Sequence, residues 1–177
     1  MNRSQADSSP DSPSKRLVLM RHAKSDWSSQ GLSDHQRPLN RRGQRDAPDM
    51  ARWLCDVELC PDHVLCSSAV RTRETLDLMT SELVNPPTID FSDSLYCAPS
   101  EAIAEIIRDT GGEANRLLVL AHNPGMSDLV STLSGQFMGM PTAAIAVFEL
   151  QLEDWQQFHT SMITTLIHFM RPKALSL

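Results

Sequence analysis

Two apolar runs of this 177-residue chain end on a histidine: "LVLMRH" at 17–22 and "LLVLAH" at 117–122. A single strand-terminal histidine is as often a satisfied structural residue as a functional one. In an open α/β sheet, however, ligands bind outside the carboxyl ends of the strands, so His22 and His122 in the same register define one candidate edge. Arg21 directly precedes His22, and Arg71 follows a third apolar run, "HVLCSS" at 63–68, where it opens a helical segment whose N-terminus favours anions. Two guanidinium forks and two imidazoles suit a tetrahedral dianion, because each fork pairs two oxygens and the rings add further donors.

The remaining candidates are weaker. Arg73 reads as an exposed helix residue pairing with Glu74 and Asp77. His35, His63, His159 and His168 read as structural or surface groups, although "SDHQRPLN" around His35 is placed to fold over the pocket. A metal is not expected: "HNPG" and "RHAKSDW" have neither HxH nor HExxH spacing, and neighbouring arginines would repel a cation. No cofactor is implied.

The elements that must carry these residues are six β-type runs, at 16–21, 63–68, 88–91, 117–122, 143–152 and 165–170. Helical spacing separates most of them, in "RDAPDMARWLCDV", "AVRTRETLDLMTSEL", "SEAIAEIIRDTG" and "GMSDLVSTLSG". Strands alternating with helices predict a single-domain, three-layer α/β fold with a mostly parallel sheet. The last two strands follow one another without a helix, which predicts an antiparallel edge. Asn40 is a candidate N-cap, yet Pro48 lies eight residues on, so the helix either bends there or starts near Asp46. Ser100 is the predicted N-cap of the next-but-one helix, which Gly111 and Gly112 end.

A net charge of −6 gives no reason to expect nucleic acid or an anionic membrane as partner, so any anion site must be a local cluster. No apolar stretch has the length of a membrane span and the N-terminus lacks a signal-peptide layout, which makes the cytoplasm the expected location. Residues 1–15, rich in Ser, Pro and Asp, are expected to form a flexible tail before a domain at 16–177. Cys55, Cys60, Cys66 and Cys97 have no zinc-type spacing and are expected to be free thiols.

Five segments, "LVLMRHAKSDW", "RPLNRRGQRDA", "CSSAVRTRETL", "LLVLAHNPGMSDLV" and "FMRPKAL", in this order resemble the histidine phosphatase superfamily, with its phosphoglycerate-mutase-like fold. Within it the chain is similar to the small SixA-type phosphohistidine phosphatases. The usual RHG signature is RHA here, with Ala23 in place of glycine. The resemblance implies that His22 is the nucleophile that becomes phosphorylated, that Arg21 and Arg71 bind phosphoryl oxygens, that His122 completes the pocket, and that Arg37 adds an outer cation. It implies metal-independent hydrolysis of a phosphorylated partner: phosphohistidine in a protein, in signal transduction, or a small phosphorylated metabolite for a phosphatase or mutase. A noncatalytic phosphate-binding module is the reading from outside enzymology. Many relatives carry a general acid on an insertion this compact chain lacks. Glu101, Asp93, Asp26 and Asp34 are candidates by position only, and the lack favours a phosphoramidate, whose nitrogen leaves with little protonation.

Overall fold

The structure is a computed structural model that describes residues 14–28 and 31–175. Six strands, β1 (Ser14–Arg21), β2 (His63–Ser67), β3 (Thr88–Ser92), β4 (Arg116–Ala121), β5 (Ile145–Gln151) and β6 (Thr164–Met170), form one sheet in the order β3-β2-β4-β1-β5-β6. The pairings β2/β3, β2/β4 and β1/β4 are parallel, whereas β5 runs antiparallel to both β1 and β6. The reversed strand is therefore β5, and β6 lies outside it as the edge. The helices are α1 (Arg41–Asp56), α2 (Val70–Thr80), α3 (Ser100–Thr110), α4 (Gly125–Ser134) and α5 (Pro172–Leu175).

The central strands read as unbroken apolar runs because both faces of the sheet are covered. Leu17, Leu19, Leu117 and Val119 point into a cluster with Ile103 and Ile107 of α3 and Met126 and Leu129 of α4. Val18, Met20, Leu118 and Leu120 point the other way, onto Met50 and Leu54 of α1 and Leu76 and Met79 of α2. Each fully buried aliphatic side chain of this kind contributes about 1.5–3 kcal/mol of transfer free energy. Together they hold the strand ends in fixed register.

That register places the site. β1 and β4 are neighbours with Arg21 opposite Ala121, so His22 and His122 both emerge from the carboxyl end of the sheet centre. The start of α1 is tied to the loop after His22: the Asn40 backbone N–H donates to the Lys24 carbonyl at 2.9 Å, and a Cβ on Gly43 would collide with that same oxygen. Asn40 caps α1 by accepting from the Gly43 N–H at 3.0 Å, and the helix then runs continuously through Pro48.

Several local expectations need correction. Ser14 and Lys15, assigned above to the tail, begin β1, where the Lys15 ammonium donates to the Ala114 carbonyl at 2.7 Å; the rest of the predicted tail, residues 1–13, lies outside the described residues. Ser100 is the first helical residue of α3, with Pro99 at the cap. Cys55 and Cys60 are joined by a disulfide, because the chain reverses after α1 through Glu58 at φ 61° and brings Cys60 back to the helix end. Cys66 and Cys97 are free, and burial pushes the Cys66 thiol up to about 12, which leaves it inert at neutral pH.

α4 starts three residues after His122, and its first residue, Gly125, has no room for a side chain: a Cβ there would collide with the Ala98 backbone oxygen. Gly125→Ala is expected to cost about 1–3 kcal/mol through overpacking. At about 2–4 °C per kcal/mol for a chain of this size, thermal melting should show a loss of several degrees. Gly139→Ala, with no neighbouring atom within 4 Å, should melt like the parent protein.

Candidate functional site

A cavity of about 220 Å³ opens at the carboxyl edge, lined by Arg21, His22, Arg37, Arg71 and His122, all five residues singled out in the sequence. His22, His122 and Arg71 are almost fully buried. The two imidazole centroids lie 5.2 Å apart. His22 Nδ1–H donates to the Ala23 carbonyl at 2.7 Å, and Arg71 Nε–H donates to His22 Nε2 at 3.3 Å. The first bond fixes the tautomer, so the lone pair of His22 sits on Nε2, facing the guanidinium.

His122 is held with the opposite assignment. Its Nε2–H donates to Ser67 Oγ at 2.8 Å, leaving Nδ1 to accept from Arg71 at 3.2 Å. Arg71 enters from the first turn of α2, and Thr75 secures the contact between helix and loop. Its hydroxyl donates to the Arg71 carbonyl at 2.6 Å and accepts from the Ala23 N–H at 3.1 Å. Arg21 donates to the Met140 carbonyl at 3.0 Å, while its Nε is buried without a partner among the described residues. A buried guanidinium N–H left in this way favours an acceptor delivered by a ligand.

Both imidazoles are pushed down to about 3, first by burial. For His22 the neighbouring His122, Arg71 and Arg21 push the same way against the bond to Ala23; for His122 the next cause is Arg71. Both are therefore neutral at physiological pH, the state a nucleophilic ring needs.

The carboxylate lining the cavity is Asp34, in the short 3-10 turn Asp34–Gln36. It accepts from Tyr96 Oη at 2.7 Å and from Arg71 at 3.0 Å, and pairs with Arg37 at 2.9 Å. The Tyr96 bond first, then the arginine charges, hold Asp34 down at about 2 despite some opposing desolvation, so it is an anion throughout the neutral range. Its own carbonyl takes Arg71 Nη1 at 2.6 Å, so Asp34 and any bound phosphoryl group compete for one guanidinium edge. Arg37 also donates to Ser25 Oγ and stacks 3.5 Å from the Trp27 ring centroid.

Of the other sequence candidates, Asp93, Glu101 and Asp26 do not line the cavity; Asp26 receives Ser28 instead. His35 sits on the turn that crosses the pocket but bonds Ser68 at 3.1 Å. Arg73 makes no ion pair with Glu74 or Asp77: its guanidinium lies over Phe91 at 4.3 Å, and Glu74 accepts from the Leu39 N–H. Ser67, Thr75 and Tyr96 were not legible in advance. The one available signal was the "CSS" that ends β2 at the same edge as the histidines.

The profile of the histidine phosphatase superfamily (branch 1) matches residues 17–92, from β1 through β3. An uncharacterised chloroplastic protein of Arabidopsis thaliana is 31% identical over 161 residues, spanning 86% of this chain and 74% of its own. The chain belongs to the histidine phosphatase superfamily. Among solved structures, the protein assigned as phosphohistidine phosphatase SixA in Agrobacterium tumefaciens superposes with a TM-score of 0.76 at 28% identity, over 89% of this chain and 98% of that one. The protein histidine phosphatase SixA complexed with tungstate gives the same TM-score at 25% identity, over 90% and 99%. This superfamily member is accordingly a phosphatase with a phosphoglycerate-mutase-like fold, and its substrates carry a phosphoryl group.

The depressed imidazoles make a prediction about stability. In the unfolded chain His22 and His122 titrate near the ordinary histidine value of 6.5, whereas in the folded protein they stay neutral down to about 3. Between those values the unfolded state binds two more protons, so stability falls as pH is lowered through that window. The two residues together contribute a slope of up to about 2.7 kcal/mol per pH unit. Urea unfolding from pH 7 to pH 4 should show this slope, and His122→Gln should remove about half of it.

Proposed function

We propose that this phosphatase is metal-independent, acts through phosphorylation of His22 and removes phosphate from phosphohistidine in a protein. The observation that carries the substrate assignment is Asp34. Among the described residues it is the carboxylate that lines the cavity, and its three partners keep it ionised, so it has no proton to give to a leaving group. An alkoxide leaving from an ordinary ester needs that proton. An imidazole leaving from phosphohistidine does not, when its other ring nitrogen is already protonated.

In the first step the Nε2 lone pair of His22 attacks phosphorus in line. The N–P bond to His22 forms as the substrate's P–N bond breaks, and the departing imidazole keeps the electron pair. One phosphoramidate replaces another, so the chemistry demands little driving force from the enzyme. Arg21 and Arg71 meet the equatorial oxygens where charge collects, and His122, accepting from Arg71 through Nδ1, positions that guanidinium. In the second step water attacks phosphorus, His22 recovers its lone pair, and inorganic phosphate leaves. The tungstate bound by a SixA relative is a tetrahedral oxyanion of the kind this cluster suits. Arg37, whose charge is largely engaged by Asp34, acts at the rim of the cavity.

A substrate panel tests this reading. Phosphohistidine peptides should be hydrolysed far faster than sugar phosphates, glycerate phosphates or phosphoserine peptides, with no change on adding EDTA; faster turnover of the esters would overturn it. His22→Ala should reduce kcat by about 10⁴-fold or more, and Arg71→Ala by about 10²–10³-fold. Asp34→Asn should keep phosphohistidine hydrolysis within about tenfold of the parent, as expected when no acid is lost. The acid limb of kcat/KM should fall near pH 3, where His22 becomes protonated, and a limb at the ordinary histidine value of 6.5 would contradict a buried neutral nucleophile.

A further inference from the structure

Beside the catalytic cavity lies a second and larger cleft, of about 330 Å³, that the mechanism above does not use. The two share Thr142, which belongs to the walls of both. Arg42 from the first turn of α1 donates to Thr142 Oγ1 at 3.1 Å. The next residue, Ala143, donates its N–H to the carbonyls of Arg21 and His22, at 3.1 and 3.0 Å. The cleft thus begins at Thr142, one residue from the amide that bonds the carbonyls of Arg21 and His22, and runs away from it between α1 and α5.

Its charge opposes that of the chain. Arg42, Arg45, Arg171 and Lys173 face two carboxylates, in a protein of net charge −6. Asp46, on the buried face of α1, takes part of the charge of Arg42 and Arg45 at 3.7 and 3.0 Å. Arg171 and Lys173 are exposed and pair with no carboxylate among the described residues. A single compact anion calls for donors converging on one point. Here the cations come from two separate elements along an open trough, which matches carboxylates carried at intervals on a polypeptide.

We propose that this cleft receives an acidic stretch flanking the phosphohistidine of the protein substrate, so that Arg171 and Lys173 with Arg42 and Arg45 select the partner while His22 performs the chemistry. The proposal rests on the phosphohistidine reading and deepens it. Exposed ion pairs of this sort act mainly on encounter and on KM, and salt screens them.

Four peptides test it: phosphohistidine or phosphoserine, each flanked by glutamates or by glutamines, assayed with the parent protein and with Arg171→Glu/Lys173→Glu. The quantity read is the ratio of kcat/KM for acidic over neutral flanks within each protein, which does not depend on the fraction of the variant that folds. The parent should prefer acidic flanks by about tenfold, as two or three exposed ion pairs jointly allow. The preference should lie in KM, shrink towards unity in about 0.5 M salt, and vanish or reverse in the double variant. A ratio near one in the parent, or a preference that survives in the variant, overturns the proposal, as does a lack of turnover of all four peptides. A flank preference seen on phosphoserine alone would sustain the cleft while overturning the phosphohistidine reading.

Discussion

The site depends on where one guanidinium is held. Arg71 bonds His22 through Nε, His122 through Nη2, and both the carbonyl and the carboxylate of Asp34 through its outer edge. A cation this deeply buried would be costly if any of those partners were lost. Each structural feature nearby serves to fix it: the first turn of α2 carries it to the sheet edge, Thr75 ties its carbonyl to the loop after His22, and Tyr96 steadies the carboxylate that faces it. In the proposed mechanism a phosphoryl group exchanges one anion for another on the same arginine.

The same charge sets the protonation of its neighbours. Burial disfavours imidazolium first, and His122, Arg71 and Arg21 add to that effect, so His22 stays neutral next to two cations. Asp34, held down first by the hydrogen bond from Tyr96, feels the opposite sign of the same field and stays ionised. The protonation states of the imidazole and the carboxylate are therefore not independent in this pocket. The arrangement that keeps His22 neutral also keeps the carboxylate lining the cavity ionised, and under the proposed phosphohistidine reading the leaving group departs without a proton from it.

Most of the fold was legible because the central strands are covered on both faces and so leave continuous apolar runs; all six appeared near their observed positions. His22, His122, Arg21 and Arg71 were legible for a related reason: polar residues at the ends of such runs interrupt a strong pattern. Groups whose meaning is only spatial escaped. Ser67 orients His122 across 55 positions of sequence, and Tyr96 reaches Asp34 across 62. The disulfide was missed because it depends on a left-handed turn at Glu58, a residue whose type does not announce that conformation. Arg73 was assigned to neighbours on its own helix, but a flat aromatic face on β3 lay within reach.

The central claim is a covalent N–P bond on His22, and a rapid quench during turnover of a peptide carrying radiolabelled phosphohistidine tests it most directly. The account predicts label on the protein that survives base, is lost in acid, maps to the segment containing His22 and is absent from His22→Ala. Phosphate released at full rate with no label on the protein at any time of quench, or label mapped to His122, would contradict it.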